Sequence, residues 1–196
     1  MDEKILTIKK KVKKALDNYR YQHTLGVAYT AASLAMRYGE DMERLFLAGI
    51  LHDCAKNIDN EEKYELCRKY KLDLSDIEKK APFLIHGKLG AYIAEHEYGV
   101  KDKDILNAVR YHTTGRPGMS ITEKIIYIAD YIEPHRHEAK RLKEIRMEAF
   151  TDIDSALRMV LRDSLDFLKG KDRPVDPLTQ ETYEFYVNQI GKAALP

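Results

Sequence analysis

Cysteine is scarce. The 196 residues hold two, Cys54 and Cys67, with no Cys-x-x-Cys pair, which favours a reducing, cytoplasmic setting. Net charge is nearly absent: Lys+Arg 33 against Asp+Glu 32 leaves +1, too little to impose binding to nucleic acid or to an acidic membrane. The opening MDEKILTIKK has no apolar stretch long enough for a signal peptide, and no membrane span is expected elsewhere. Ten Gly and six Pro leave little room for the many turns of a β-sandwich, and no strand-like alternation persists long enough to build a sheet. The lack of tryptophan decides nothing. Repeats, low-complexity tracts and dividing linkers are also missing, so one domain over residues 1–196 is expected.

What remains is 44% hydrophobic and 33% charged, a composition that buries a substantial single core. Apolar residues Ile5, Ile8, Val12 and Leu16 mark one stripe of an amphipathic helix, with Lys9, Lys10, Lys11, Lys13 and Lys14 mostly on its solvated face. Helical periodicity returns over Tyr21 to Tyr38 (closed by Gly39), Asp41 to Ala55, Glu61 to Tyr70, Phe83 to Tyr98 (closed by Gly99) and Asp104 to His112. Ser120-Ile-Thr-Glu123 opens a helix that stops before Pro134, and Ser75-Asp-Ile-Glu78 resembles another capping box. Two more helices fit Asp152 to Leu168 and Thr179 to Ile190, with turn-rich loops at 112–118 and 170–177. The expectation is an all-α bundle of roughly nine or ten helices.

Four of the seven histidines interrupt apolar stripes: His23, His52, His86 and His112. Asp130 does the same after Ile126. A carboxylate on the inward side of a helix is costly unless a cation or hydrogen-bond donors meet it, and a neutral imidazole also needs a partner. The adjacent pair His52-Asp53 means little alone, since seven His and 16 Asp give about 0.6 such pairs by chance. The order His23, His52-Asp53, His86, His112, Asp130, each on a separate predicted helix or at its end, carries more. Several helices aim ligand-type side chains inward.

Imidazole and carboxylate without thiolate suit borderline divalent metals such as iron, manganese, cobalt or zinc. A metal held by His23, His52, Asp53 and Asp130 leaves positions open for water and a phosphate oxygen, the arrangement that hydrolysis needs. His86 and His112 either hold a second metal or bind and protonate phosphate oxygens, and the sequence leaves both open. His135-x-His137 reads as a polar loop, His96 as a surface helix residue and Cys54 as buried packing. Thr113 and Thr114 read as turn residues, and Tyr92, Tyr127 and Tyr131 as core or rim aromatics.

Five separated motifs occur in order: Arg20-Tyr-Gln-His23, Leu51-His52-Asp53-Cys-Ala-Lys56, His86-Gly87, Arg110-Tyr-His112-Thr-Thr-Gly115 and Glu123-Lys-Ile-Ile-Tyr-Ile-Ala-Asp130-Tyr-Ile-Glu-Pro134. Together they resemble the HD-domain phosphohydrolase superfamily, and more narrowly its YqeK-type branch, the symmetrical diadenosine tetraphosphate hydrolases of bacteria. The resemblance spans about Arg20 to Arg136. It implies an all-helical HD fold with a metal, commonly iron, at His23, His52, Asp53 and Asp130. It also implies phosphate or nucleotide contacts at Arg20, Lys56, His86, His112 and Arg136, with the Arg173-Pro174 loop closing over the nucleotide.

The leading expectation is a metal-dependent hydrolase cleaving diadenosine tetraphosphate to two ADP, with Asp53, His86 and His112 as its catalytic residues. Other HD-type substrates (a phosphomonoester, a deoxynucleotide, a cyclic dinucleotide) and a non-catalytic nucleotide sensor are the alternatives. The oligomeric state, a homodimer included, stays open.

Overall fold

The computed structural model describes residues 1–170 and 174–193, with side-chain surroundings through residue 187. In chain order the helices are α1 (Glu3–Ala15), α2 (Asn18–Tyr38), α3 (Met42–Leu51), α4 (Asn60–Lys69) and α5 (Asp76–Lys80). They continue with α6 (Ile85–His96), α7 (Lys103–Tyr111), α8 (Ile121–Ile132), α9 (Leu142–Glu148), α10 (Ile153–Gly170) and α11 (Pro177–Ala193). A 3-10 turn, Pro82–Leu84, leads into α6. There is no strand among the described residues, and no helix there is long and apolar enough to cross a membrane.

Local chemistry sets most of the boundaries. Asp17, Asp41, Asp59 and Asp102 cap α2, α3, α4 and α7 by accepting from first-turn amides, and both Ser75 and Ser120 form complete capping boxes. Gly39 ends α2 in the left-handed region at φ 73. Three expectations change. The helix expected over 41–55 stops at Leu51, and residues 52–57 continue as tight turns. The one expected from Phe83 begins instead with the 3-10 turn that Pro82 opens, and α6 proper starts at Ile85. Helix α9 was not expected: it spans seven residues and has no side-chain cap, so it leaves no local signature.

The helices bury one continuous core that includes Leu34, Leu45, Ile50, Leu51, Leu89, Ile125, Ile128 and Leu157. Helix α2 packs against α3 and α8, while α7 lies among α3, α6 and α8. Two glycines permit the closest approaches. A Cβ on Gly49 of α3 would stand 2.5 Å from Ala28 Cα of α2, and one on Gly87 of α6 would stand 2.7 Å from Arg110 O of α7. These backbone contacts draw the ends of α3, α6 and α7 towards the middle of the bundle. His52, His86 and His112 sit at those ends.

Candidate metal centre

Each of the four inward histidines is fixed by its Nδ1. His52 Nδ1 lies 2.7 Å from Gly49 O, His86 Nδ1 2.5 Å from Phe83 O and His112 Nδ1 2.7 Å from Val109 O. A carbonyl oxygen only accepts, so each Nδ1 carries the proton and each Nε2 presents a bare lone pair. His23 Nδ1 lies 3.1 Å from Glu133 Oε1, with the same consequence for a neutral ring. All four Nε2 atoms converge with the carboxylates of Asp53 and Asp130.

The ligand atoms fall into two groups that could each hold an ion, His23 with His52 and Asp130, and Asp53 with His86 and His112. Asp53 serves both. Its Oδ2 faces His52 Nε2 at 3.6 Å and His23 Nε2 at 4.0 Å; its Oδ1 faces His86 Nε2 at 3.2 Å and His112 Nε2 at 3.4 Å. Three of the four residues expected as one ligand set, His23, His52 and Asp130, form one group; the fourth, Asp53, falls in the other with His86 and His112, and only its Oδ2 faces the first.

Without a cation this cluster is electrostatically unsatisfied. His86 Nε2 and His112 Nε2 stand 3.0 Å apart, lone pair against lone pair, and His23 Nε2 stands 3.1 Å from Asp130 Oδ1. His23 Nε2, His52 Nε2 and Asp53 Oδ1 are three of the four buried side-chain atoms without a hydrogen-bond partner among the described residues. Burial pushes His52 and His86 down to about 4, so both rings are neutral near pH 7. Burial also opposes charge on His23, but the facing carboxylates of Asp130 and Glu133 outweigh it and raise that ring. Burial opposes charge on Asp53 too, yet the facing His52, His112 and His86 hold its carboxyl well below the usual range. Asp130 is held low in the same way, chiefly by His23 and His52. A site with the neutral imidazoles of His52 and His86, ionised carboxylates and buried ring nitrogens without partners fits a divalent metal.

Basic residues stand at its rim. Arg20 Nη1 donates to Asp53 Oδ2 at 2.9 Å, Lys56 Nζ lies 3.1 Å from His86 Nε2 and 3.7 Å from Asp53 Oδ1, and Arg136 Nη2 donates to Asp130 Oδ1 at 3.0 Å. Arg173 lies outside the described residues. Thr113, expected as a turn residue, places its Oγ1 3.3 Å from His86 Nε2 and 3.2 Å from His112 Nε2, at the exposed edge of the cluster.

Glu133 escaped the sequence reading. It is 1% exposed and sits just past the end of α8, where an acid before proline reads as an ordinary loop residue. The remaining candidates stay apart from the cluster's ligand atoms. Burial raises the Cys54 thiol to about 12, and its Sγ approaches Gly90 O, which leaves it a packing group. Exposed His96 stacks on Tyr92, whose other partner is Tyr70. His137 is exposed, and His135 reaches the cluster only through Glu133. Tyr127 is buried, and Tyr131 at the rim approaches Asp163.

The HD domain family pattern matches residues 20–135. Over 88% of this chain and 91% of its own length, a protein of Halalkalibacterium halodurans named "Bis(5'-nucleosyl)-tetraphosphatase, symmetrical" is 45% identical. The protein of the same name from Bacillus subtilis is 43% identical over 90% of this chain and 94% of its own. A crystal structure from Clostridium acetobutylicum, described as a "predicted HD superfamily hydrolase involved in NAD metabolism", superposes with a TM-score of 0.89 at 39% identity, covering 93% of this chain and 96% of that one. Histidines paired with carboxylates at the ends of inward-pointing helices, and relatives alike over nearly their whole length, lead to one conclusion: the chain belongs to the HD-domain family, in the group of the symmetrical bis(5'-nucleosyl)-tetraphosphatases.

Proposed function

We propose that the protein is a metal-dependent phosphoric anhydride hydrolase that cleaves diadenosine tetraphosphate symmetrically into two ADP. The observation that carries this reading is the convergence of four Nε2 lone pairs on two ionised carboxylates, with three basic side chains at the rim. The cleavage position follows the activity named for the relatives.

His23, His52 and Asp130 are read as one ion's ligands and Asp53, His86 and His112 as a second's, with Asp53 turning one oxygen to each. When bound, a divalent metal, iron foremost with manganese, cobalt or zinc as alternatives, supplies a Lewis acid for a phosphate oxygen and acidifies a water molecule. Arg20, Lys56 and Arg136 supply mobile positive charge. In the structure they rest on Asp53, on His86 and on Asp130. Asp53, His86 and Asp130 would hold the metal, and Arg20, Lys56 and Arg136 would then serve the substrate phosphates. A tetraphosphate has several charges to neutralise and its cleavage asks little covalent chemistry of the protein, so positioning and charge are the chain's main contributions. Thr113 offers a hydroxyl at the open edge to hydrogen-bond a phosphate oxygen. The same reading takes residues 1–196 as one HD-type domain with its motif core at about 20–136, acting in the cytoplasm on a nucleotide and not on nucleic acid.

The test is turnover of diadenosine tetraphosphate in oxygen-18 water by protein of measured metal content, with products resolved by mass. Two ADP sharing one labelled oxygen are expected. ATP plus AMP would overturn the cleavage position, and no turnover by fully loaded protein would leave a nucleotide sensor or another substrate.

A further inference from the structure

The metal-facing histidines are not held alike. Three of them give their Nδ1 proton to a neutral carbonyl three residues earlier, at Gly49, Phe83 and Val109. His23 alone gives it to a carboxylate, Glu133 Oε1 at 3.1 Å. That carboxylate is buried, and among the described residues no lysine or arginine side chain pairs with it. Arg146 donates to the Glu133 main-chain oxygen instead. The other carboxylate oxygen, Oε2, accepts from the His135 amide at 2.7 Å and faces His135 Nδ1 at 3.1 Å. Gly26 on α2 leaves the space, because a Cβ there would fall on Glu133 Oε2. A buried carboxylate is expensive without a cation close by. Arg136 lies within electrostatic reach of it but rests on Asp130, and through His23 the carboxylate backs the His23–His52–Asp130 group.

The two groups also differ in the charge around them. The His23 side has Asp130 as a ligand, Asp53 Oδ2 facing it and Glu133 behind it. Two guanidiniums, Arg20 on Asp53 Oδ2 and Arg136 on Asp130, offset part of that charge, whereas on the opposite side Asp53 is the one carboxylate among the described residues and Lys56 Nζ stands 3.1 Å from His86 Nε2.

We infer that Glu133 is a positioning residue that fixes the tautomer of His23, strengthens it as a donor, and makes His23–His52–Asp130 the tighter of two unequal cation sites. A carboxylate behind a ligating imidazole holds the ring in place and raises its basicity, and losing one costs about 10–100-fold in metal affinity. The inference rests on the reading of these residues as metal ligands.

The experiment titrates metal-stripped full-length protein with Mn2+ alone and follows the free ion by electron paramagnetic resonance. Wild type is expected to bind in two classes. Glu133→Gln keeps size and shape, and is expected to weaken the tight class about 10–100-fold while leaving the weak class and the helical circular dichroism in place. His135→Ala, which removes the ring that faces Glu133 Oε2 and keeps the amide that donates to it, is expected to keep both classes. A tight class unchanged in Glu133→Gln overturns the inference alone, whereas a wild type that binds no Mn2+ overturns the metal reading beneath it. Nitrogen-15 NMR of the wild type decides the matter even if the variant fails to fold. A neutral His23 with its proton on Nδ1 supports the assignment, and one with its proton on Nε2 refutes it.

Discussion

Stripping the metal should cost this fold several degrees of thermal stability, and the size follows from the cluster itself. His23 Nε2, His52 Nε2 and Asp53 Oδ1 are buried without hydrogen-bond partners. An unsatisfied buried polar atom costs about 1–3 kcal/mol, so the metal-free protein carries roughly 3–9 kcal/mol that a ligated cation relieves. By linkage, a cation supplied at about a thousand times its dissociation constant adds about 4 kcal/mol, inside that range. In a chain of 196 residues each kcal/mol moves the midpoint by about 2–4 °C, so reloading should raise Tm by roughly 8–16 °C. The assay is scanning calorimetry of chelator-stripped and Mn2+-reloaded protein at one protein concentration. His52→Ala, which removes a ligand, should lose most of the increment. A stripped protein melting within about 2 °C of the reloaded one would refute the reasoning, because it would mean that the orphan lone pairs cost nothing or that no cation reaches them.

Arg20→Ala and Lys56→Ala are each expected to lower kcat/KM for diadenosine tetraphosphate by about tenfold to hundredfold, the worth of a charge-assisted hydrogen bond, while bound metal measured by plasma emission stays within error of wild type. Arg44 donates to Asp102, Asp104 and Thr122 and so ties the start of α3 to those of α7 and α8; Arg44→Met should cost about 1–3 kcal/mol in urea unfolding. The Arg44 hydrogen bond is the main cause that holds Asp102 below its ordinary 3.8. Its contribution is therefore complete above that value and lost as pH falls through the lower folded-state pKa, so acid titration should show a shallower stability loss in Arg44→Met than in wild type. Gly49→Ala should destabilise by about 1–3 kcal/mol and lower metal affinity as well, since the new Cβ pushes α3 off Ala28 and moves His52-Asp53 with it. Unchanged Mn2+ binding in that variant would show that the α2–α3 approach does not set the site.

The fold was readable wherever its cause is local. Apolar stripes at 3.6-residue spacing and the boxes at Ser75 and Ser120 located most of the helices, because each helix meets its own capping and burial needs within a few residues. Periodicity failed at 52–55: Cys54 and Ala55 are as buried in their turns as they would be in a helix, so the stripe continues while the helix does not. The identities of the inward histidines and aspartates were legible because a polar residue on an apolar stripe is conspicuous. Which carboxylate faces which imidazole was not. That depends on how α2 crosses α3 and α8, a matter of Gly49 against Ala28 and of the 77 positions that separate Asp130 from Asp53. Glu133 and Thr113 were hidden for a related reason: both lie just beyond helix ends, where sequence suggests solvent and the structure supplies neighbours.

Those helix ends also explain why the cluster sits where it does. The last carbonyls of a helix have no amide to accept from and must find another donor. His52 and His112 occupy the cap positions of α3 and α7, and their Nδ1 protons go to Gly49 O and Val109 O, three residues back. The need that ends the helix thus selects the tautomer, and the tautomer turns a bare Nε2 into the bundle. His86 repeats the geometry at the start of α6, where the preceding 3-10 turn offers Phe83 O. His23 lies inside α2, where main-chain carbonyls are already engaged by helical amides, and a side chain has to supply the acceptor. It follows that Glu133 is the only one of the four acceptors that a point mutation can remove, which makes it the place where ligand orientation can be tested apart from the backbone.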